Sequence, residues 1–516
     1  MPIIDANERL LEGDWTGFDA LIVGAGAAGI YLAVSLARRR QRVLLIESGH
    51  FTEDEDRQNL NDIEQTGKPM ANALWNRKRI LGGTTTAWGG GTLPFSPLDF
   101  RRREWVEHSG WPITYDTLSP YFAPVGRFMG LDTGNYDSDM LALWGRRNPG
   151  FDPALIDYQH CKWSWQPNFY KLAERRLKRD VTVLYNAHLL RIDLGERGQV
   201  AQVEVGDFRG RRRSIPAKVL VLATGGIETN RILLLNDHQV KGGLGNGSGW
   251  LGKAFMEHPC LVGGEVVSED MGRLQEHFGT RLRGLRRYSA RLSASPAWQE
   301  KHRLLNVSAS LMWLYEDDDA GPVAMLKSFA RRPGPTTAMA VAARSGEIAR
   351  IAWRLARQGL IYKPGATARI SLMCEQEPLR GSFVTLSDRT DAFGARKALL
   401  HWRIGARTWE TAVRFSETLA AELQRLGLGT AHLADGLRLD APDYETRLSD
   451  VNHHMGGTRM SATAADGVVD DQLQVWGTPN LYICSSAVFP TASHSNPTLT
   501  MLALGARLVD KLAGGT

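Results

Sequence analysis

Cysteine is scarce: the 516 residues hold four, at Cys161, Cys260, Cys374 and Cys484, and none forms a CxxC or CxxCH. That spacing argues against a zinc site, a covalently attached haem and a disulfide framework. No metal is expected, and a reducing cytoplasm is the simplest compartment. Long apolar runs are missing too. No stretch reaches eighteen apolar residues without a charge, so no helical membrane span is expected. Met1 to Gly17 has no apolar core followed by a small-residue cleavage site, and no secretory signal is expected. Nor does one charge dominate: the net charge is +6, with arginines in short runs such as Arg38-Arg39-Arg40 and Arg211-Arg212-Arg213. A nucleic-acid reader gathers basic residues on one face between stacking aromatics, so these runs read as solvated surface, with no nucleic-acid partner. What remains is an ordinary globular composition, 43% hydrophobic and 23% charged, in a chain long enough for two or three structural units.

Phe18 to Val23 reads as a short buried strand ending at Gly24-Ala25-Gly26-Ala27-Ala28-Gly29. A helix is predicted from Ile30 to Arg40, then a second strand, Val43 to Ile46, ending in Glu47. Gly24 permits a tight turn, Gly26 lets the backbone approach a pyrophosphate, and Gly29 lets helix pack on strand. The helix start offers unpaired N–H groups and a positive dipole end to an anion. Glu47 can accept from both hydroxyls of a ribose, which disfavours a 2′-phosphate and so argues against NADP. A packing turn with no ligand would have no use for that acid. This much indicates a dinucleotide without separating FAD from NAD.

Three later segments bear on that choice. Leu81 to Gly91 is a run of small residues with three hydroxyls and Trp88, suited to lying against a flat cofactor and donating to its phosphate or ribityl oxygens. Val219 to Leu222 reads as an apolar strand ending in the turn Ala223-Thr224-Gly225-Gly226; it follows Val181 to Leu184, which reads as the edge of a second sheet. The C-terminal stretch runs from Asn452-His453-His454-Met455-Gly456-Gly457-Thr458 to Ser493-His494-Ser495-Asn496-Pro497-Thr498.

With these segments on the page, the sequence resembles the glucose–methanol–choline (GMC) oxidoreductase family from end to end, most closely its bacterial, sugar-oriented members. The match includes ATGGIETNRILL at Ala223 to Leu234, WLGKAFMEHP at Trp250 to Pro259, Ser-Gly-Trp-Pro at Ser109 to Pro112, and Gly467 to Thr491. The resemblance implies a mixed α/β fold: a Rossmann-like FAD-binding domain (1–110, 166–260 and 448–516) and a discontinuous substrate-binding domain (111–165 and 261–447) built on an antiparallel sheet roofed by helices. It implies FAD held by Gly24, Gly26, Ala27, Ala28, Gly29 and Glu47, with Leu189 at the adenine. Gly83, Thr84, Thr85 and Trp88 would lie over the flavin; Ala223, Gly225, Ser485, Pro497 and Thr498 would complete the site. Two departures stand out. Ala87 occupies the place where some members bond a histidine to the flavin, so FAD is expected to be non-covalent. Ser485 replaces a common acidic residue, which leaves a hydroxyl without charge assistance.

Oxidising a CH–OH group needs a base for the hydroxyl proton, and histidine suits it because its ordinary pKa lies near 6.5. By motif, His454 is the expected base and Asn496 its partner on the substrate oxygen. His453 is left as a supporting residue and His494 as the alternative base. Asn496 also reads as the N-cap of a helix beginning at Pro497. The implied activity is oxidation of a sugar or glycoside alcohol, with oxygen, a quinone or a protein as electron acceptor. A lyase using FAD as scaffold is the alternative.

In the substrate unit, Ile370 to Cys374, Phe383 to Leu386 and Leu399 to Trp402 read as strands of one roofing sheet, and Thr408 to Leu426 as an amphipathic helix. Ala338 to Leu360 reads as one helical stretch, with Arg344, Arg350, Arg354 and Arg357 around Trp353. It is read as a surface helix, with contact to an anionic membrane or a lipid-linked substrate as the alternative. Trp163, Trp165 and Trp313 suit either a sugar site or the core.

Overall fold

The strand Ala20–Val23 is buried along its whole length, as is Val43–Ile46 beside it. Such unbroken apolar runs suit a parallel sheet covered on both faces. A computed structural model describes residues 3–315 and 321–514. The outermost ends of the expected units, and 316–320 within the second, lie outside the described residues.

The sheet has six parallel strands in the order Ile3–Asp5, Thr182–Tyr185, Val43–Ile46, Ala20–Val23, Leu220–Leu222 and Leu481–Ile483. Against it lies the helix Ala27–Arg38, eight of whose residues are buried, with Phe169–Asp180 and Pro497–Leu512 packed alongside. The 181–184 segment is therefore not a sheet edge. Its strand is paired on both sides, to Val43–Ile46 and to the three-residue strand Ile3–Asp5. A small antiparallel sheet of Ala187–Leu194, Val200–Asp207 and Arg212–Pro216 adjoins it.

A larger, antiparallel sheet includes Cys260–Val267, Thr367–Cys374, Val307–Leu314, Arg286–Ala294 and Ile156–Trp163. Its strands alternate: Ala290 and Leu292 enter a core shared with Ala412, Phe415, Leu419 and Leu423 of the helix Ala406–Arg425. Arg291, Trp163 and Met373 of the same sheet line the large cavity instead. The expected single roofing sheet is two. Phe383–Thr390 and Arg396–Trp402 belong to a separate five-stranded sheet with Lys253–Met256, Met455–Gly457 and Glu64–Gly67, drawn from both sides of the expected division.

The 338–360 stretch is not one helix. Pro335–Ala343 and Ser345–Gln358 are separate helices broken at Arg344, preceded by Pro322–Arg331. Among the described residues no helix is long and apolar enough to cross a membrane.

Candidate active site

A cavity of about 820 Å³ runs between the parallel sheet and the antiparallel sheet, at the upper end of the range for cofactor sites. At one end lies the glycine turn. Gly24 has φ 101°, and a Cβ there would sit 2.6 Å from the Ala223 carbonyl oxygen. A Cβ on Gly26 would meet nothing within 4 Å, so this part of the wall is open backbone. Gly26 stands at the helix N-cap and Ala27 and Ala28 follow it, all three lining the cavity, so the first N–H groups face a ligand space. Gly29 does not line it; a Cβ there would lie 1.8 Å from the Gly24 carbonyl oxygen, so its part is packing.

Glu47 lines the same end, buried. Its Oε2 accepts from the Ala25 N–H and its Oε1 from the Gly49 N–H, both at 2.7 Å. Each oxygen keeps a second lone pair for a hydroxyl donor. Burial pushes this carboxyl up, against the pull of those two N–H groups and of Arg79. Leu189 lines a small adjoining cavity of about 30 Å³ that shares Gly24, Ser48, Arg79 and Thr224 with this region.

The turn Gly83–Thr86 closes over the glycine turn: a Cβ on Gly83 would lie 2.8 Å from the Gly26 Cα. Of the three hydroxyls expected to serve a ligand, two are committed to the protein. Thr85 donates to the Gly82 carbonyl and accepts from the Phe169 N–H, and Thr86 donates to the Gly83 carbonyl. Thr84 accepts from the Lys78 N–H at 3.2 Å, leaving its own proton free. The Trp88 indole N–H donates to the Pro167 carbonyl at 2.8 Å, so this ring offers surface rather than a donor. Gly83, Thr84, Thr85, Ala87 and Trp88 all line the cavity, as do Ala223, Gly225, Ser485, Pro497 and Thr498. Ser485 Oγ accepts from the Ala487 N–H at 3.0 Å.

The other end gathers histidines. His258 Nε2 lies 3.1 Å from the Ala492 carbonyl oxygen, which can only accept, so this nitrogen carries the proton. Burial pushes His258 down to about 4, keeping it neutral and leaving Nδ1 bare. His453 Nδ1, 2.8 Å from it, must therefore donate. His453 is itself held neutral, well below the usual range, first by burial and then by its neighbours His258, His454 and Arg291. Its Nε2 is consequently bare, and His453 lines the cavity.

His454 is turned differently. It also lines the cavity, but its Nε2 is buried without a partner, 3.8 Å from Glu257 Oε2, which is likewise unpartnered. Burial, then Arg77, pushes His454 down to about 3. The other Glu257 oxygen accepts from the backbone N–H of His258 at 2.8 Å and the backbone N–H of His453 at 2.7 Å. Burial raises this carboxyl to about 8. The geometry thus brings both histidines to the cavity: His453 with its bare Nε2, and the expected His454 with its Nε2 turned to Glu257 and its Nδ1 not among the buried, unpartnered atoms. His494 is buried and does not line the cavity.

Asn496 lines the cavity and stands at the N-cap of Pro497–Leu512, but its side chain makes no cap bond. Its Oδ1 has only the Cys161 thiol at 3.9 Å. Trp163 lines the cavity, Trp165 is exposed and Trp313 is in the core.

The sequence reading missed Glu257, Arg291 and the run Asn76-Arg77-Lys78-Arg79. The run directly precedes the glycine–threonine loop, and Glu257-His258 sits inside a motif already singled out. Asn76 lines the cavity with both amide atoms buried and unpartnered. Open backbone at Gly26, a ribose acceptor at Glu47, cationic Arg77 and Arg79, and that orphaned amide fit a flavin dinucleotide.

Comparison with known proteins agrees with this shape. A family described as GMC oxidoreductase matches residues 378–505, and one described as pyridine nucleotide-disulphide oxidoreductase matches 18–267. A C-glycoside 3-oxidase of Microbacterium trichothecenolyticum is 33% identical over 92% of this chain and 80% of its own length. A 2-methyl-1,2-propanediol dehydrogenase of Mycolicibacterium austroafricanum is 23% identical over 96% of this chain and 95% of its own. In fold, pyridoxine 4-oxidase from Mesorbium loti superposes with a TM-score of 0.58 at 17% identity, covering 96% of this chain and 99% of that one.

Proposed function

Because the chain belongs to the GMC oxidoreductase family and so takes a flavin cofactor, we propose that it oxidises a CH–OH group of a sugar or glycoside using non-covalent FAD. The C-glycoside 3-oxidase and its coverage support the substrate class; Ala87 in the cavity wall supports the non-covalent flavin. We assign flavin binding to 1–110, 166–260 and 448–516, and substrate choice to 111–165 and 261–447.

The observation that carries the mechanism is the hydrogen-bonded pair His258–His453. FAD, when bound, supplies the two-electron acceptor for a hydride. His453 takes the hydroxyl proton on its bare Nε2, while its Nδ1–H stays committed to His258. Asn496, free of cap duty, holds the substrate oxygen through its amide. Gly24, Gly26, Glu47, Arg77 and Arg79 would hold the dinucleotide, and Trp163, Arg291 and Met373 would border the substrate end.

Anaerobic mixing of the yellow protein with a panel of sugars and glycosides tests this. Bleaching of the flavin by a sugar supports the reading. Product formed by bond cleavage without bleaching would replace it with the lyase, and subsequent air shows whether oxygen is the acceptor.

A further inference from the structure

Between the strands Val307–Leu314 and Thr367–Cys374 the chain leaves the antiparallel sheet for three helices, and the second and third of these bury no side chain. The third, Ser345–Gln358, is fastened on its inner side. Arg354 pairs with Glu276 at 3.3 Å and lies over the Tyr362 ring, and the Gln358 carbonyl accepts from Arg281. Its outer side carries Trp353, 55% exposed, with Arg350 one turn before it and Arg357 one turn after. Met339 on the second helix is 73% exposed. Among the described residues no carboxylate pairs with Arg350 or Arg357, nor with the exposed Lys327, Arg331 and Arg332. The acidic run at 316–319 lies outside the described residues.

On Ser345–Gln358 an exposed indole lies between two guanidiniums that pair with no carboxylate among the described residues, whereas an ordinary surface helix turns its apolar side inward. The former is the arrangement of a helix lying in a lipid interface, where the ring enters the headgroup boundary and arginines meet lipid phosphates. We propose that this three-helix excursion docks the enzyme on an anionic membrane surface, with Trp353 inserted and Arg350 and Arg357 on the headgroups. A second copy of the chain would bring the same positive charge to the face, so charge complementarity selects the anionic bilayer. This inference stands independently of the reaction proposed above.

The test is co-sedimentation of flavin-loaded, full-length protein with vesicles of phosphatidylcholine, alone or mixed about 2:1 with phosphatidylglycerol. The protein is expected to sediment with the anionic vesicles at low salt and to be released at about 0.5 M salt. Trp353→Ser and the double variant R350E/R357E should each lose binding, the latter by on the order of a hundredfold, with flavin content and melting temperature unchanged. No binding to anionic vesicles at low salt would overturn the proposal, as would undiminished binding by both variants. So would light scattering that shows a dimer in the parent protein and a monomer in Trp353→Ser, since a second copy would then cover this face.

Discussion

His453 Nδ1 lies 2.8 Å from His258 Nδ1, and the contact dictates which nitrogen of His453 is left bare. His453→Ala should therefore keep the flavin and slow its reduction by substrate about 10²–10⁴-fold, the usual cost of losing a general base. His454→Ala should be milder. Stopped-flow reduction of the two variants separates them; the reverse order would return the base to His454. Because His453 is held well below its ordinary 6.5, the acid limb of the reduction rate should fall below that value.

Asn496→Ala should slow flavin reduction while leaving the melting temperature nearly unchanged, because its side chain makes no cap bond to lose. A lower melting temperature at full rate would make Asn496 a helix cap and nothing more.

Glu257→Gln addresses stability. The folded protein holds the Glu257 proton up to about pH 8, whereas the unfolded chain releases it near 4.5. The native state therefore binds the extra proton between these values, and stability contributed there is lost as pH rises. Glutamine is always neutral and can accept the same two N–H bonds. The melting temperature of Glu257→Gln relative to the parent should rise steadily from pH 5 to pH 8; the lowered histidine pKa values affect both proteins and cancel. A constant difference would mean that Glu257 is ionised in the fold.

Glu47→Ala should lower FAD occupancy. It also strips an acceptor from the Ala25 and Gly49 N–H groups, so the melting temperature should fall by the equivalent of about 1–3 kcal/mol per orphaned group. Glu47→Gln should be milder, keeping one oxygen acceptor. Flavin absorbance against protein absorbance reads the occupancy; a fully loaded, equally stable Glu47→Ala would refute the ribose assignment.

Acid precipitation should release all the flavin into the supernatant, because Ala87 offers no nucleophile at the cavity wall. Yellow colour in the washed pellet would contradict non-covalent binding.

The dinucleotide turn was legible because its parts are local. Gly24, Gly26, Gly29 and the strands on either side lie within thirty residues, and each glycine has its own steric reason. The two adjacent histidines were not separable in the same way. His453 and His454 are adjacent and chemically identical, and what separates them is a carbonyl at Ala492 and rings and carboxyls nearly two hundred residues away. Thr85 shows the converse: its hydroxyl suits a phosphate, but the Gly82 carbonyl and the Phe169 N–H reach it first. The 181–184 strand reads as an edge in the sequence because its outer partner, Ile3–Asp5, is too short to announce itself. The break at Arg344 carries no proline, although Ser345-Gly346 just beyond it is a weak signal for a helix start.

A ribosome delivers Ala20–Val23, Val43–Ile46 and Leu220–Leu222 long before Leu481–Ile483, the partner of Leu220–Leu222. Until then Leu220–Leu222 presents an unpaired apolar edge, and Pro497–Leu512 is missing from its place against Ala27–Arg38. Pairing over such distances is slow, and an open edge invites strands from other chains. Yield of soluble protein in a producing cell is then governed by how long that edge waits. Slower translation initiation, cooler growth or added chaperone would act on how often that open edge meets another chain rather than on the stability of the finished enzyme.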